Sequence, residues 1–356
     1  MEGRRHTRLR KLAARACTEA VLTLLLFGSF AYSAAVSPYF LEARTLFDMT
    51  SHFMEVGLMA LAMTLVIVMG EIDLSVASLC ALTGVVCGLL HERGVPMLLA
   101  AFAALVFGAA LGALNGWLAA FFKLPSLVVT LGTMALYRGA GQILLGDRST
   151  YGFPEWFVSV DLRYLPGTWI PIPLACFTAC AALFFFLLHR TTAGRIVYCI
   201  GNNAEACRFS GIAVERMKVA IFALSGLMAA AAGLMMTSRF ASARWDMASG
   251  LELEVITVVI LGGTSIFGGR GTIPGTVLAL FVIGTFRYGM GLANVPVQNQ
   301  SVAIGLLLIG SILVPEMLRR WSLRPRTPGG SVEEVGAAAS AQSATSPDAT
   351  ETAQPE

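Results

Sequence analysis

Eight charged or amide side chains lie inside or beside long apolar stretches of this sequence. Such side chains are costly in lipid and usually face the interior of a helix bundle, where they mark the path of a polar solute. Each can equally be a buried hydrogen-bond partner or a snorkelling end residue, so the group is informative only as a whole. The sequence predicts a solute path among Glu55, Asp73, Asn115, Arg138, Gln142 and Arg287, with Glu252 and Glu254 as further candidates.

Signatures of nucleotide or metal chemistry are absent from the sequence. No GxxxxGK(S/T) motif occurs and no GxGxxG follows a strand, so the chain has no phosphate cradle and any ATP hydrolysis must take place on another chain. The four histidines form no HxxxH and the seven cysteines form no CxxC, which predicts that there is no metal site. We therefore expect no cofactor on this chain. A membrane-bound enzyme would need a convergent nucleophile and base, which the spacing does not offer.

The composition places the elements that carry these residues in lipid. Of the 356 residues, 56% are hydrophobic and 13% are charged, against roughly 25% charged in a soluble domain. A helix needs roughly 20 apolar residues to cross a bilayer core. Ten stretches approach that length and predict an all-α polytopic membrane protein with ten transmembrane helices, at residues 17–36, 52–69, 74–90, 96–121, 126–145, 170–188, 217–238, 252–266, 273–292 and 298–315.

The distribution of basic residues predicts which way these helices face. With ten spans both termini lie on one side, and placing them in the cytoplasm puts most of the 25 Lys and Arg there, as the positive-inside rule requires. We expect residues 1–16 to be a basic cytoplasmic segment, 17–318 the transmembrane domain, and 319–356 a basic and then disordered cytoplasmic tail. The net charge of +3 is explained in this way, so the expected partner is the inner-membrane bilayer and not nucleic acid.

Two segments predict irregular backbone between spans. Residues 70–75, GEIDLS, place Glu71 and Asp73 between apolar runs with almost no room for a loop. This indicates a broken or re-entrant chain whose polar groups are satisfied by protein or by a water-filled cavity. Asp73 is expected to cap the helix that begins near Leu74. Residues 262–275 contain six glycines and predict a flexible turn.

Small residues predict one close helix contact. Gly108, Gly112 and Gly116 stand four residues apart in the fourth span. Their spacing removes side chains from one helix face and lets another backbone approach. The pattern occurs in membrane proteins of every function, so it indicates packing and no particular activity.

Four motifs resemble those of the permease subunits of ribose-type, monosaccharide-transporting ATP-binding-cassette importers. They lie at residues 70–75, 124–133, 194–212 and 262–275, in family order, and the likeness covers roughly residues 50–315. The resemblance implies that residues 189–216, with a short helix starting near Asn203, are the coupling loop on which a partner ATPase pushes. The coupling residues that it implies are Gly194, Arg195, Gly201, Asn202, Ala206, Ser210 and Gly211.

The same resemblance implies the rest of the complex. Its expected partners are a cytoplasmic ATP-binding subunit that carries ATP and Mg, a second permease that is identical or a paralogue, and a periplasmic or lipid-anchored solute-binding protein. This chain would be a transport subunit with no catalytic residue. Nucleotide-driven closure of the ATPases would switch the helix bundle between inward and outward access.

The substrate expected from the resemblance is a small polar solute. Glu71 stands where the family usually has Gly. Together with residues 252–257, ELEVIT, and 288–290, YGM, this departure is most similar to the rhamnose and autoinducer-2 branches of the family. Rhamnose is the favoured monosaccharide, with autoinducer-2 or another sugar as the alternative. A branched-chain amino acid permease would change the substrate but not the mechanism. An ion-gradient-driven carrier, the less favoured class, would use Glu55 and Asp73 as its titrating carboxylates.

Overall fold

The computed structural model describes residues 20–322, and at residues 308, 311, 312 and 314–322 it describes the backbone alone. The predictions for residues 1–16 and for most of the tail lie outside the described residues. The chain divides into two compact units, Met1–Ile312 and Leu313–Glu356. Of the second unit, the described part is the C-terminal end of the last helix, up to Ser322.

The described part of the chain is helical. Within residues 20–322 the only extended pairings are two isolated antiparallel bridges, Thr150 with Ala243 and Tyr164 with Pro171. In chain order the helices are α1 (Ala20–Val36), α2 (Ala43–Ser51), α3 (Met54–Val68), α4 (Val76–Glu92), α5 (Met97–Phe121), α6 (Ser126–Leu145), α7 (Glu155–Val158), α8 (Ile172–Arg190), α9 (Thr192–Asn202), α10 (Ala204–Phe209), α11 (Val214–Phe240), α12 (Leu251–Leu261), α13 (Ile273–Leu292) and α14 (Val297–Ser322).

Five of the described helices are long and apolar enough to cross a membrane, namely α5, α6, α8, α11 and α13. A sixth candidate is the pair α2 and α3, which passes the same test together but bends by 57° at the break between them. α1 and α4 are shorter apolar helices. Each of the ten windows contains a helix, but ten spans and the orientation of the termini stay predictions.

The predicted window 252–266 was wrong at its end. α12 stops at Leu261, and its 11 residues span only about 16 Å at 1.5 Å per residue. The physical reason is the glycine pair that follows. Gly263 has a φ of +85°, a left-handed conformation that ends a helix.

The bundle is built around α3, whose 15 residues are all buried. A helix that is apolar on every side has no solvent face and belongs inside a protein or a membrane. α11 packs against α3, α4 and α5. It lies very close to the glycine face of α5: a Cβ built on Gly112 would lie 2.3 Å from the Phe222 carbonyl oxygen, and one built on Gly226 would lie 2.2 Å from the Gly108 carbonyl oxygen. The predicted packing face therefore contacts α11.

Contacts between connecting segments divide the bundle into two ends. At the end that carries α9 and α10, which we call the coupling end, the Gly269 N–H donates to the Val68 carbonyl at 2.8 Å. At the opposite end, the Tyr164 hydroxyl donates to the Asp48 carboxylate at 2.5 Å and residue 150 bridges residue 243. Segments that the charge pattern predicts to lie on the same side of a membrane therefore contact each other at the same end of the bundle.

Replacing Gly112 with Ala is expected to destabilise the bundle, because the new methyl group has no space beside the α11 backbone. Overpacking of this kind costs about 1–3 kcal/mol. The measurement is the midpoint of thermal unfolding of the purified chain in detergent. Gly132→Ala is the matched control, since nothing lies within 4 Å of a Cβ at this helical glycine. Equal midpoints for the two variants would contradict the close crossing.

Candidate functional site

The predicted coupling loop consists of two helices joined at Asn203. Asn203 is extended, with φ −162° and ψ 98°, and its Oδ1 accepts a hydrogen bond from the Ala206 N–H at 2.9 Å. This cap starts α10, so a short helix starts where the sequence predicts one. α9 was not predicted, because glycines at 194 and 201 lower the helix propensity. The Thr191 hydroxyl caps α9 by accepting from the Gly194 N–H at 3.2 Å.

Gly201 joins this segment to the rest of the coupling end. A Cβ on Gly201 would lie 1.9 Å from the Val68 carbonyl oxygen and 2.6 Å from the Gly269 nitrogen. The end of α9 therefore packs directly on the residues that leave α3 and on the glycine-rich turn before α13. The Tyr198 hydroxyl adds a hydrogen bond of 2.6 Å to the Gly271 carbonyl. These contacts bind α9 rigidly to both irregular segments of the bundle.

The predicted coupling residues separate into two groups. Gly194 is buried and Gly201 half-buried, and both serve packing. The remaining ones are exposed: Arg195, Asn202, Ala206, Ser210 and Gly211. Beside them the Phe209 side chain is 91% exposed at the end of α10. The segment thus presents a polar surface with one exposed aromatic ring.

The break between α3 and α4 is closed by hydrogen bonds to Asp73, which is 1% exposed. Its Oδ1 accepts from the Ser75 N–H at 3.0 Å and from the Ser75 hydroxyl at 2.7 Å. Its Oδ2 accepts from the Ser225 hydroxyl of α11 at 2.9 Å. Asp73 was expected to cap a helix that begins near Leu74. α4 instead begins at Val76, with Ser75 at the N-cap position, and Asp73 accepts hydrogen bonds from Ser75 and from Ser225.

Asn115 extends this network to two further helices. Its Nδ2 donates to the Ser75 Oγ at 2.8 Å, and its Oδ1 accepts from the Tyr137 hydroxyl at 2.9 Å. α4, α5, α6 and α11 thus contribute to one buried polar cluster. Asp73 and Asn115, which the sequence places in one solute path, lie together here and are hydrogen-bonded to protein.

A charged cavity of about 500 Å3 opens at the opposite end of the bundle. Glu55, 2% exposed, lies at its wall with Oε1 2.9 Å from Arg239 Nη2. Arg239 also donates to the Ser51 carbonyl at 3.0 Å. Arg287 forms an ion pair with Glu254. The cavity is lined by polar and aromatic side chains from α11 and α13 and from the segments between α2 and α3 and between α11 and α12, including His52, Phe53, Phe240, Asp246, Ser249 and Tyr288.

The other predicted path residues lie around this cavity or away from it. Arg138 donates from Nη1 to the Ser249 hydroxyl at 2.7 Å and to the Met247 carbonyl at 3.2 Å, which holds the segment between α11 and α12 against α6. Glu252 accepts from the Gly250 N–H at 3.1 Å. Gln142 is exposed on α6 and does not line the cavity.

Sequence reasoning missed Arg239, the ion-pair partner of Glu55. The predicted span 217–238 ends one residue before Arg239, whereas Arg239 lies in the last turn of α11. The available signal was the presence of one Glu inside an otherwise apolar span, which requires a cation nearby. Spacing along the chain does not identify that cation.

Apolar helices long enough to cross a membrane surround a buried polar cluster, with a charged cavity at one end, and these are the features of a polytopic membrane protein. The chain belongs to the family of permease components of branched-chain amino acid transport systems, which matches residues 45–312. Membership makes the chain a transport component and confirms the resemblance to permease subunits.

Relatives of known name include the autoinducer 2 import system permease protein LsrD of Escherichia coli (strain K12) and that of Shigella flexneri. Each is 37% identical to this chain over 297 residues, which is 82% of this chain and 89% of the relative. No solved structure matches the chain. The similarity therefore extends over most of both sequences, and these relatives are permease proteins of autoinducer 2 import systems.

The ion pair of Arg287 with Glu254 gives a prediction about stability. Arg287→Met leaves the Glu254 side chain, which is 7% exposed, without a counter-charge; because Arg287 itself is 35% exposed, the cost is below the roughly 3–5 kcal/mol of breaking a fully buried pair. We expect a lower thermal unfolding midpoint, and recovery in the double variant Arg287→Met with Glu254→Met. Arg44→Met is the control: its pair with Asp48 is exposed, with 66% and 40% of the side chains accessible, and contributes below about 1 kcal/mol. A double variant no better than the single one would contradict the pairing.

Proposed function

We propose that this chain is the membrane-spanning subunit of an ATP-binding-cassette importer in the cell inner membrane, and that it provides the path for a small polar solute. The observation that carries the proposal is the α9–α10 element. It is exposed at Phe209 and packed through Gly201 on both irregular segments of the bundle. A partner that pushes on α10 would move backbone that contacts the interior of the bundle.

The proposed topology has ten spans with both termini in the cytoplasm. It is supported by the positive-inside pattern and by the meeting of same-side segments at each end. The coupling end then faces the cytoplasm, where an ATPase is available. The cavity between Glu55 and Arg287 faces the periplasm, where a solute-binding protein delivers its ligand. The second permease of the complex is a copy of this chain or a paralogue.

The proposed solute is autoinducer-2 or a monosaccharide such as rhamnose. Identity of 37% to autoinducer-2 permeases over 82% of the chain supports testing autoinducer-2 first. The cavity supplies guanidinium and hydroxyl donors and carboxylate acceptors beside the rings of Tyr288 and Phe53. Polar groups placed on an apolar wall in this way fix the orientation of a small polar ligand.

An ion-gradient-driven carrier is less well supported. Such a mechanism needs a membrane-embedded carboxylate that exchanges an ion or proton along a polar chain. Glu55 is paired with Arg239, and Asp73 accepts three hydrogen bonds from Ser75 and Ser225. The two carboxylates belong to separate polar clusters. Uptake by the purified complex that follows an ion gradient without ATP would favour the carrier.

Purification of the tagged full-length chain from its native membranes is the direct test. We expect a stoichiometric ATPase subunit with a phosphate-binding loop to co-purify in mild detergent, because this chain lacks such a loop. The measurement is subunit stoichiometry by quantitative mass spectrometry, followed by ATPase activity of the complex. A monodisperse chain that repeatedly purifies without any ATPase would contradict the proposal.

Replacing Phe209 with Ser is expected to weaken the attachment of the ATPase. The ring is 91% exposed on α10, and an exposed aromatic residue in a coupling element is a candidate anchor for a partner. The measurement is the ratio of ATPase to permease after purification, together with ATP-dependent uptake. Trp169→Ser is the control, because Trp169 is also 59% exposed but lies in the segment between α7 and α8, at the opposite end of the bundle. Equal losses in both variants would place the contact elsewhere.

A further inference from the structure

Two ion pairs at the coupling end connect α10 to the break between α3 and α4 through the first turns of α11. Arg208 of α10 donates from Nε to the Glu215 Oε1 of α11 at 2.7 Å. Lys218, three residues further along α11, pairs with Glu71 in the break. Residues three apart on a helix lie on one face, so Glu215 and Lys218 are neighbours. The charges alternate in sign along this path, through Glu205, Arg208, Glu215, Lys218 and Glu71.

The innermost pair is protected from water. The side chains of Lys218 and Glu71 are 15% and 13% exposed, whereas that of Glu205 at the outer end is 70% exposed. An exposed pair is screened and contributes little, but a sheltered pair is held strongly and leaves a costly lone charge when one partner is removed. The Glu71–Lys218 contact is therefore a second firm connection between α11 and the break, beside the Asp73–Ser225 hydrogen bond, and it lies seven residues closer to α10 along the chain.

The backbone beside Glu71 reaches the interior of the bundle. The Ile72 N–H donates to the Ser126 hydroxyl of α6 at 3.1 Å, and the Ile72 carbonyl accepts from the Thr130 hydroxyl at 3.2 Å. On the α3 side the chain turns at Gly70, which has a φ of +85°, and the Glu71 N–H donates to the Val66 carbonyl at 3.1 Å. A displacement of Glu71 would thus change the position of the break relative to α6.

We propose that Glu71 and Lys218 are a positioning pair that transmits the displacement of α10 to the break between α3 and α4. The inference rests on the proposed function, since the partner ATPase is what displaces α10. Glu71 neither binds solute nor takes part in hydrolysis in this mechanism. It fixes the break to α11 so that the two move together.

The test uses the full-length chain with its co-purified ATPase in lipid nanodiscs. Ile72→Cys places a thiol in the break, and its rate of labelling by a maleimide is measured with and without Mg-ATP and vanadate. Peptide-level mass spectrometry separates this thiol from the native cysteines. We expect nucleotide to change the labelling rate in the otherwise unaltered chain.

Three variants added to Ile72→Cys decide the role of the pair. Lys218→Met is expected to abolish the nucleotide-dependent change while the ATPase stays bound. Arg148→Met, which removes an exposed ion pair with Glu92 (side chains 60% and 30% exposed) away from α9, α10 and α11, is expected to leave the change intact. The exchanged pair Glu71→Lys with Lys218→Glu is expected to restore it, which a loss caused by general damage to the fold would not allow.

The outcomes separate this inference from the proposed function. If the ATPase binds but nucleotide does not alter the labelling, or if Lys218→Met retains the change, the positioning role is wrong and the transport assignment stands. If Lys218→Met does not assemble, the exchanged pair decides alone: assembly with a nucleotide-dependent change supports the role, and assembly without it overturns the role. Failure of the unaltered chain to bind any ATPase overturns both.

Discussion

The fold depends on satisfying the backbone where the chain breaks between α3 and α4. α3 is buried along its whole length, and an unpaired peptide group in hydrocarbon costs several kcal/mol. The carbonyl groups at its end are satisfied by backbone donors, among them the Glu71 N–H on Val66 and the Gly269 N–H on Val68. On the other side of the break, Asp73 accepts from the Ser75 N–H at the start of α4, and it also accepts from the Ser225 hydroxyl of α11. Because one carboxylate holds both the break and the neighbouring helix, α4 and α11 are placed relative to α3 by the same group.

Glycine contacts complete what the polar cluster begins. The carbonyl of Gly108 lies where a Cβ on Gly226 would stand, so α5 and α11 approach until their backbones touch. Burial gives no hydrophobic gain between helices in lipid, so dispersion between closely packed backbones is what holds such a crossing. The Gly201 contact at the coupling end follows the same rule. Small residues therefore determine both how closely α11 crosses α5 and where the α9–α10 element packs on the bundle.

The sequence predicts local features of this structure better than it predicts which residues from distant parts of the chain come together. The helix windows, the break at residues 70–75 and the start of α10 at the Asn203 cap follow from apolar runs and capping chemistry, which act over a few residues. α9 was missed because tertiary packing overrides the weak propensity of its glycines. The cavity was only half predicted: Glu55 and Arg287 stand out in apolar spans, but nothing in their spacing shows that the last turn of α11 brings Arg239 to Glu55.

The polar residues at the two ends of the bundle differ in whether a ligand could bind them without replacing hydrogen bonds to protein. Asp73 and Asn115 have several protein partners each, so a solute would have to replace bonds that the fold itself requires. The ion pairs beside the cavity border open space, and a guanidinium with five donors retains its carboxylate while it offers further N–H groups to a hydroxyl. In the proposed importer, a solute therefore displaces the fewest protein hydrogen bonds at the opposite end. The coupling end, closed by glycine contacts and sheltered charges, is suited to transmitting movement.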